Sequence, residues 1–262
     1  MRLLAIGDPH GSEKVKEIPL KGIDAILITG DLGKSDLMRK YAFAHKGKKK
    51  SWVSYEPKII VREAFLEAYN SSLELLRYLA KKAPVYLIYG NVEESDSDTK
   101  KLSEKLNIKL PLLEQGIRTI ENVHIINNRK VNLEGIAIAG SQFFVEEEWV
   151  KRFSPDDKRR MKRAKKETAK AKKFYSKLGY VDILLCHQPP YGILDKVTAE
   201  FAPKDWQGKH AGSKIILDYI RKHHPRYVIC GHIHEGKGSK SVGNTEVINI
   251  GVAGDYSVLE ID

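Results

Sequence analysis

Seven side chains able to bind a metal ion follow short apolar runs in this chain. The first run ends in Gly7-Asp8-Pro9-His10, the second in Gly30-Asp31 and the third in Gly90-Asn91. Later runs end in Cys186-His187 and in Gly231-His232-Ile233-His234. Asp8 and His10, like His232 and His234, stand two positions apart, so an extended segment points both side chains of a pair the same way. A lone Gly-Asp after a strand is ordinarily a turn or a helix N-cap, and a lone histidine an edge-of-core hydrogen-bonding residue. Together, five strand ends carrying carboxylate, amide and imidazole groups and no thiolate make a metal-site pattern. Such ligands suit Mn²⁺, Fe, Zn²⁺ or Ni²⁺ better than Ca²⁺ or a structural zinc.

The positioning elements follow an α/β rhythm. Apolar runs predict strands over residues 3–6, 25–29, 85–89, 123–126, 136–139, 183–186, 227–230, 247–250 and 258–261. Open α/β sheets place their ligand crevice beyond the carboxyl ends of such strands, where the seven residues fall. Val61, Ala64, Phe65, Ala68, Leu75, Leu76 and Leu79 recur at helical spacing, and that helix should stop before Pro84. A shorter helix is expected over 214–222, opened by Ala211-Gly212-Ser213, whose free amides could receive an anion. Residues 35–57 show no clear period and read as a loop or short-helix insertion, a lid or a contact surface.

The chain has 262 residues, 42% hydrophobic and 30% charged, enough to bury a large core and too polar to span a membrane. A single domain over 1–262 is the expectation, with insertions at about 35–57 and 151–178. The start of the chain reaches Asp8 too early for a secretory or spanning segment, so a soluble cytoplasmic protein is expected. Cys186 and Cys230 lie inside apolar runs and read as buried, reduced core residues. The formal net charge is +11, and it is concentrated: residues 151–177 hold 13 Lys/Arg against Asp156, Asp157 and Glu167. In that segment Met161, Ala164, Thr168, Ala171, Tyr175 and Leu178 step by 3 and 4, predicting a helix with Asp156 and Asp157 in its first turn. A lysine-rich helix is ordinarily a solvated face, and few aromatics interleave these charges.

The ordered set Gly-Asp8-x-His10, Gly-Asp31, Gly-Asn91, His187 and Gly-His232-x-His234 resembles the calcineurin-like metallophosphoesterase superfamily. Cys186-His187-Gln-Pro-Pro-Tyr-Gly and Gly231-His232-Ile-His234-Glu235-Gly are similar to the small class III phosphodiesterase branch of that superfamily. The resemblance implies an α/β fold: a four-layer α-β-β-α sandwich of two mixed sheets. It implies two divalent transition-metal ions, manganese favoured, at one edge. Asp8, His10, Asp31 and His234 would hold the first; Asp31 would bridge to the second, held also by Asn91, His187 and His232. Asp31, Asn91 and His187 would then be catalytic. A water shared by the two cations would be deprotonated and attack phosphorus in line.

Two departures from the family pattern matter. Most catalytic members follow Gly-Asn with a histidine and an acid, whereas this chain has Gly90-Asn91-Val92-Glu93, and Val92 cannot donate a proton. Members lacking that histidine act on phosphodiesters or activated aryl esters; loss of activity is the competing account. Lys34 stands where relatives place a second acid, where it could pair with substrate phosphate or face water. His210, and His45 in the insertion, are the candidates for a substitute acid. A metal-dependent phosphodiesterase is therefore expected, with a phosphoester substrate and no membrane partner. The alternatives are a non-catalytic scaffold on the same fold, or a nuclease or RNA-processing phosphodiesterase that grips nucleic acid with its basic helix.

Overall fold

The computed structural model describes residues 1–142, 144–200 and 202–261. Strands β1 (Arg2–Ile6), β2 (Ala25–Ile28), β3 (Val85–Leu87) and β4 (Val123–Ile125) pair in parallel, and β11 (Tyr256–Glu260) closes this sheet antiparallel to β1. The second sheet holds β5 (Arg129–Leu133), β6 (Ile136–Ser141), β7 (Ile183–Cys186), β8 (Tyr227–Cys230), β9 (Gly238–Val242) and β10 (Thr245–Asn249). Its order is β5-β6-β7-β8-β10-β9, parallel from β6 to β10 with an antiparallel strand at each edge.

Alternation along the strands makes four layers of these two mixed sheets. Leu4 and Ile6 of β1 face one way, onto Leu73, Leu76 and Leu79 of helix α2 (Lys58–Ala80). Leu3 and Ala5 face the other way, onto Ile138, Ile183, Leu185 and Ile229 of the second sheet. The far face of that sheet, with Leu184, Cys186, Val228 and Cys230, is covered by Ala171 and Tyr175 of helix α6 (Lys158–Leu178) and Ile216 and Ile220 of helix α7 (Lys214–His223). Both cysteines are buried and free. Among the described residues no helix is long and apolar enough to cross a membrane.

All nine expected strands are present. The two that sequence periodicity missed, β5 and β9, are edge strands with exposed or half-exposed residues throughout, so no apolar alternation marks them. Residues 35–57 carry α1 (Asp36–Ala44) and a single 3-10 turn, Trp52–Ser54. Three short helices also went unread: α3 (Asp96–Leu106), α4 (Leu113–Ile117) and α5 (Glu147–Phe153). The basic helix starts later than expected. Asp157 is its N-cap, accepting the Arg160 N–H at 2.7 Å, and Asp156 precedes it.

Candidate metal centre

The seven sequence-predicted ligands converge. Asp8 and His10 follow β1, Asp31 follows β2 and Asn91 follows β3, while His187 follows β7 and His232 and His234 follow β8. Both sheets therefore contribute, each from the carboxyl ends of its parallel strands. To turn the chain back so sharply, Asp8, His10, Asp31 and His232 adopt left-handed backbone conformations, with φ of 27°, 46°, 50° and 67°. Outside glycine this region is sparsely populated and tends to collect at functional sites.

The loops are tied by main-chain hydrogen bonds, His10 N–H to Asp31 C=O at 2.8 Å and Gly231 N–H to His187 C=O at 3.1 Å. Asp8 is buried. Its Oδ1 accepts the Thr29 hydroxyl at 2.7 Å, and its Oδ2 accepts the His232 N–H at 2.6 Å and lies 3.2 Å from His234 Nε2. Burial pushes this carboxyl up, but His187 and His234 outweigh it and hold it down at about 2, so Asp8 is an anion. Asp31 Oδ1 accepts the Val92 N–H at 2.9 Å. Its Oδ2 faces two imidazoles, 3.6 Å from His10 Nε2 and 3.8 Å from His187 Nε2.

His187 is fully buried, and its Nδ1 donates to the Thr29 carbonyl at 2.8 Å. That bond fixes the tautomer and turns Nε2, 3.0 Å from Asn91 Oδ1, toward the cluster. Although burial lowers the His187 pKa, Asp31 and Asp8 raise it further, and the net shift is upward. Its neighbour goes the other way: burial, then repulsion from His187, pushes His232 down to about 3. Burial likewise lowers His10, whose two ring nitrogens are buried with no hydrogen-bond partner among the described residues. Neutral imidazole is the form that binds metal.

These donors fit a pair of divalent cations. Asp8, His10 and His234 can bring one atom each within 4.8 Å of one another, and so can Asp8, Asp31 and His187. Asp8 belongs to both groups, Asp31 Oδ2 lies beside a histidine of each, and a cation would supply a partner to a His10 ring nitrogen that has no hydrogen bond among the described residues.

Glu93 was missed as a functional residue. Its buried carboxylate accepts the N–H groups of Asp31 at 3.0 Å, Leu32 at 2.7 Å and Gly90 at 2.7 Å, tying two ligand loops together. Burial and the neighbouring Asp31 push its pKa up to about 7. Its place directly after Val92 in the Gly-Asn motif was the signal. Arg39 of α1, also missed, had none: it is one cation in an aperiodic stretch. It lines both a cleft of about 270 Å³ beside His10, Asp31, His232 and His234 and a cavity of about 690 Å³ holding Trp52 and Phe65. The two hollows share Arg39, Asn91 and Val92.

Lys34 and His210, the expected substrate-binding residues, and His45, the other candidate acid, line neither hollow. The Lys34 N–H donates to Ser71 Oγ at 2.8 Å and its side-chain stem lies beside Gly11. His210 Nδ1 is 2.7 Å from Asp195 Oδ1. His45 Nε2 is 2.5 Å from Glu56 Oε1, and its ring stacks on Tyr55.

Comparison with known proteins bears on this arrangement. A family model described as Calcineurin-like phosphoesterase matches residues 1–236. A UPF0046 protein of Caenorhabditis elegans is 27% identical over 136 residues, 52% of this chain and 40% of that protein. The Homo sapiens metallophosphoesterase domain-containing protein 1 is 41% identical over 73 residues, 28% of this chain and 20% of that protein. The chain thus spans less than half the length of the curated relatives it matches. One solved structure shares 18% identity at a TM-score of 0.62, covering 98% of this chain and 94% of that one. The structure of TT1561 of Thermus thermophilus shares 17% identity at a TM-score of 0.50, covering 98% and 93%. At such identities the likeness is one of fold.

Proposed function

The chain belongs to the calcineurin-like phosphoesterase family, metal-dependent phosphoesterases, and from that premise we propose that it is a dinuclear phosphodiesterase with a manganese preference. The observation that carries the reading is the convergence of seven ligand-type side chains from two sheets. Asp8, His10, Asp31 and His234 would hold one cation, and Asp31, Asn91, His187 and His232 the other. When bound, the cations supply a nucleophile at neutral pH and neutralise charge on the phosphoryl oxygens.

The chain supplies position and electrostatics. Thr29 and the His232 N–H fix Asp8; Val92 N–H takes one oxygen of Asp31 and leaves the other facing the histidines. Arg39, common to both hollows, sets a permanent cation where an anionic phosphate bridging them would lie. Two features favour a diester. Val92 replaces the histidine whose absence, by the family resemblance, goes with phosphodiester substrates, and the two hollows meeting at Asn91 and Val92 give separate room to the two substituents a diester carries.

The test compares bis(4-nitrophenyl) phosphate with 4-nitrophenyl phosphate under Mn²⁺, Zn²⁺, Ni²⁺ and Fe²⁺. The diester is expected to turn over faster, with Mn²⁺ best, and Asp31→Ala or His187→Ala should reduce the rate to background. A positioned general acid contributes about 10²–10⁴-fold, so Val92→His should raise monoester relative to diester turnover by about tenfold or more. Unchanged rates in the Asp31 and His187 variants reject the site, and an unmoved ratio in Val92→His rejects the account of the diester preference.

A further inference from the structure

The strongest unassigned feature is the outer face of α6. Its buried face carries Ala164, Ala171, Tyr175 and Leu178. On the opposite face Arg159, Lys162, Lys166, Lys170, Lys173 and Lys177 recur at steps of 3, 4, 4, 3 and 4, one exposed cation for each helical turn. The ridge runs about 27 Å at 1.5 Å per residue. Among the described residues only Lys170 has a salt-bridge partner, Glu167. Aligning unpaired like charges along one face costs stability, so the ridge is not explained by folding.

Both ends of the ridge open into hollows that hold an aromatic ring. Arg159 lines the cavity of about 690 Å³ that borders Asn91 and Val92, together with Arg39, Lys50 and Lys105 and the half-buried Trp52; the carboxylates there are Glu94 and Asp98. Lys170, Lys173 and Lys177, with Lys130 and the half-buried Phe174, line a second hollow of about 440 Å³. A track of cations with flat rings at intervals is what a flexible polyanion with stackable bases requires. A lipid surface would instead meet cations flanking an exposed apolar face, and the apolar face of α6 is buried against the second sheet.

We propose that the phosphodiester substrate is single-stranded nucleic acid, its backbone lying along the α6 ridge and the nucleotide beside the scissile phosphate entering the Trp52 cavity. The inference rests on the phosphodiesterase reading above. Hydrolysis would form a bond from the water oxygen to phosphorus and break the bond from phosphorus to the leaving sugar oxygen. One water proton ends on that oxygen, giving a phosphate-ended and a hydroxyl-ended strand.

The test has a binding arm and a turnover arm. Binding is read as fluorescence anisotropy of labelled 20-nucleotide RNA and DNA single strands with full-length protein in EDTA, where no turnover occurs. Affinity is expected to fall steeply with salt. Lys162→Ala/Lys166→Ala/Lys173→Ala should weaken it about tenfold or more and reduce the log–log salt slope by about 2, near 0.7 for each phosphate no longer neutralised. These exposed positions accept alanine without loss of helix, and far-ultraviolet circular dichroism checks that. In the turnover arm, with Mn²⁺, the triple variant should lose kcat/KM on the oligonucleotide while bis(4-nitrophenyl) phosphate turnover stays within about twofold of the parent.

Four outcomes overturn the proposal: no oligonucleotide binding, binding insensitive to salt or to the triple substitution, binding without cleavage, or capture by phosphatidylserine vesicles in place of oligonucleotide. Failure of the wild-type chain on bis(4-nitrophenyl) phosphate, with binding intact, instead strikes the phosphodiesterase reading and takes the substrate assignment with it.

Discussion

At Gly90 the absence of a side chain is a requirement of the candidate ligands Asp31 and His187. A Cβ there would stand 2.2 Å from Asp31 Oδ1 and 2.6 Å from His187 Cε1, distances no relaxed side chain tolerates. Those atoms belong to residues from different sheets, so neither can yield without opening the cluster. Gly90→Ala is therefore expected to retain its circular-dichroism spectrum yet hold under one Mn²⁺ per chain after desalting, against two for the parent, as read by elemental analysis. Two ions in the variant would show that the cluster is looser than these distances require. The same crowding explains the backbone. Four of the seven candidate ligands sit at positive φ, at a cost on the order of 1 kcal/mol or more each, and such strain persists where surrounding contacts over-determine it. The Glu93 carboxylate, accepting three N–H groups from two ligand loops, is one of those contacts.

Between the layers, α7 shows how an element is held by a residue remote in sequence. Glu146, buried, accepts the Ser213 hydroxyl and the N–H groups of Lys214 at 3.3 Å and Ile215 at 3.4 Å, completing the cap of the helix. Burial raises its pKa above the 4.5 of the free group, with Ser213 opposing. The folded chain thus binds more protons there than the unfolded chain, and stability falls as pH rises from about 4.5 through the folded value. Glu146→Gln keeps an acceptor and loses the charge, so its melting temperature should vary less over that window and match or exceed the parent at pH 8. Glu146→Ala strands the donors and should cost about 1–3 kcal/mol at any pH. A Gln variant as unstable as the Ala variant would mean that the charge itself holds the cap. None of this was legible in the sequence, because the partners are 67 residues apart. What was legible were the nine strands whose apolar runs are buried, the long helix α2 with its 3.6-residue stripe, and the strand-end places of the seven candidate ligands. What was not were β5 and β9, which present no buried face, and Arg39, which acquires its place from how α1 folds over the cleft.

Across the whole molecule, the candidate ligands run from position 8 to position 234 and come from both sheets, so the cluster exists only when the sheets are docked. An unfolded chain scatters them and binds a cation weakly. Binding to the folded state alone stabilises it by about 2.7 kcal/mol per site at a free concentration 100 times Kd. For a chain of this length that corresponds to a rise in melting temperature of about 5 °C or more. Adding Mn²⁺ should produce that rise, EDTA should reverse it, and Asp31→Ala, lacking the carboxylate both sets approach, should show little of it. A matched ionic strength of KCl is the necessary control, since a net charge of +11 is itself relieved by screening. A scaffold that had kept these residues for packing alone would melt at one temperature in manganese and in chelator. The His10 ring nitrogens argue against that outcome: among the described residues neither has a hydrogen-bond partner, whereas a cation held by His10, Asp8 and His234 would give one of them a ligand bond.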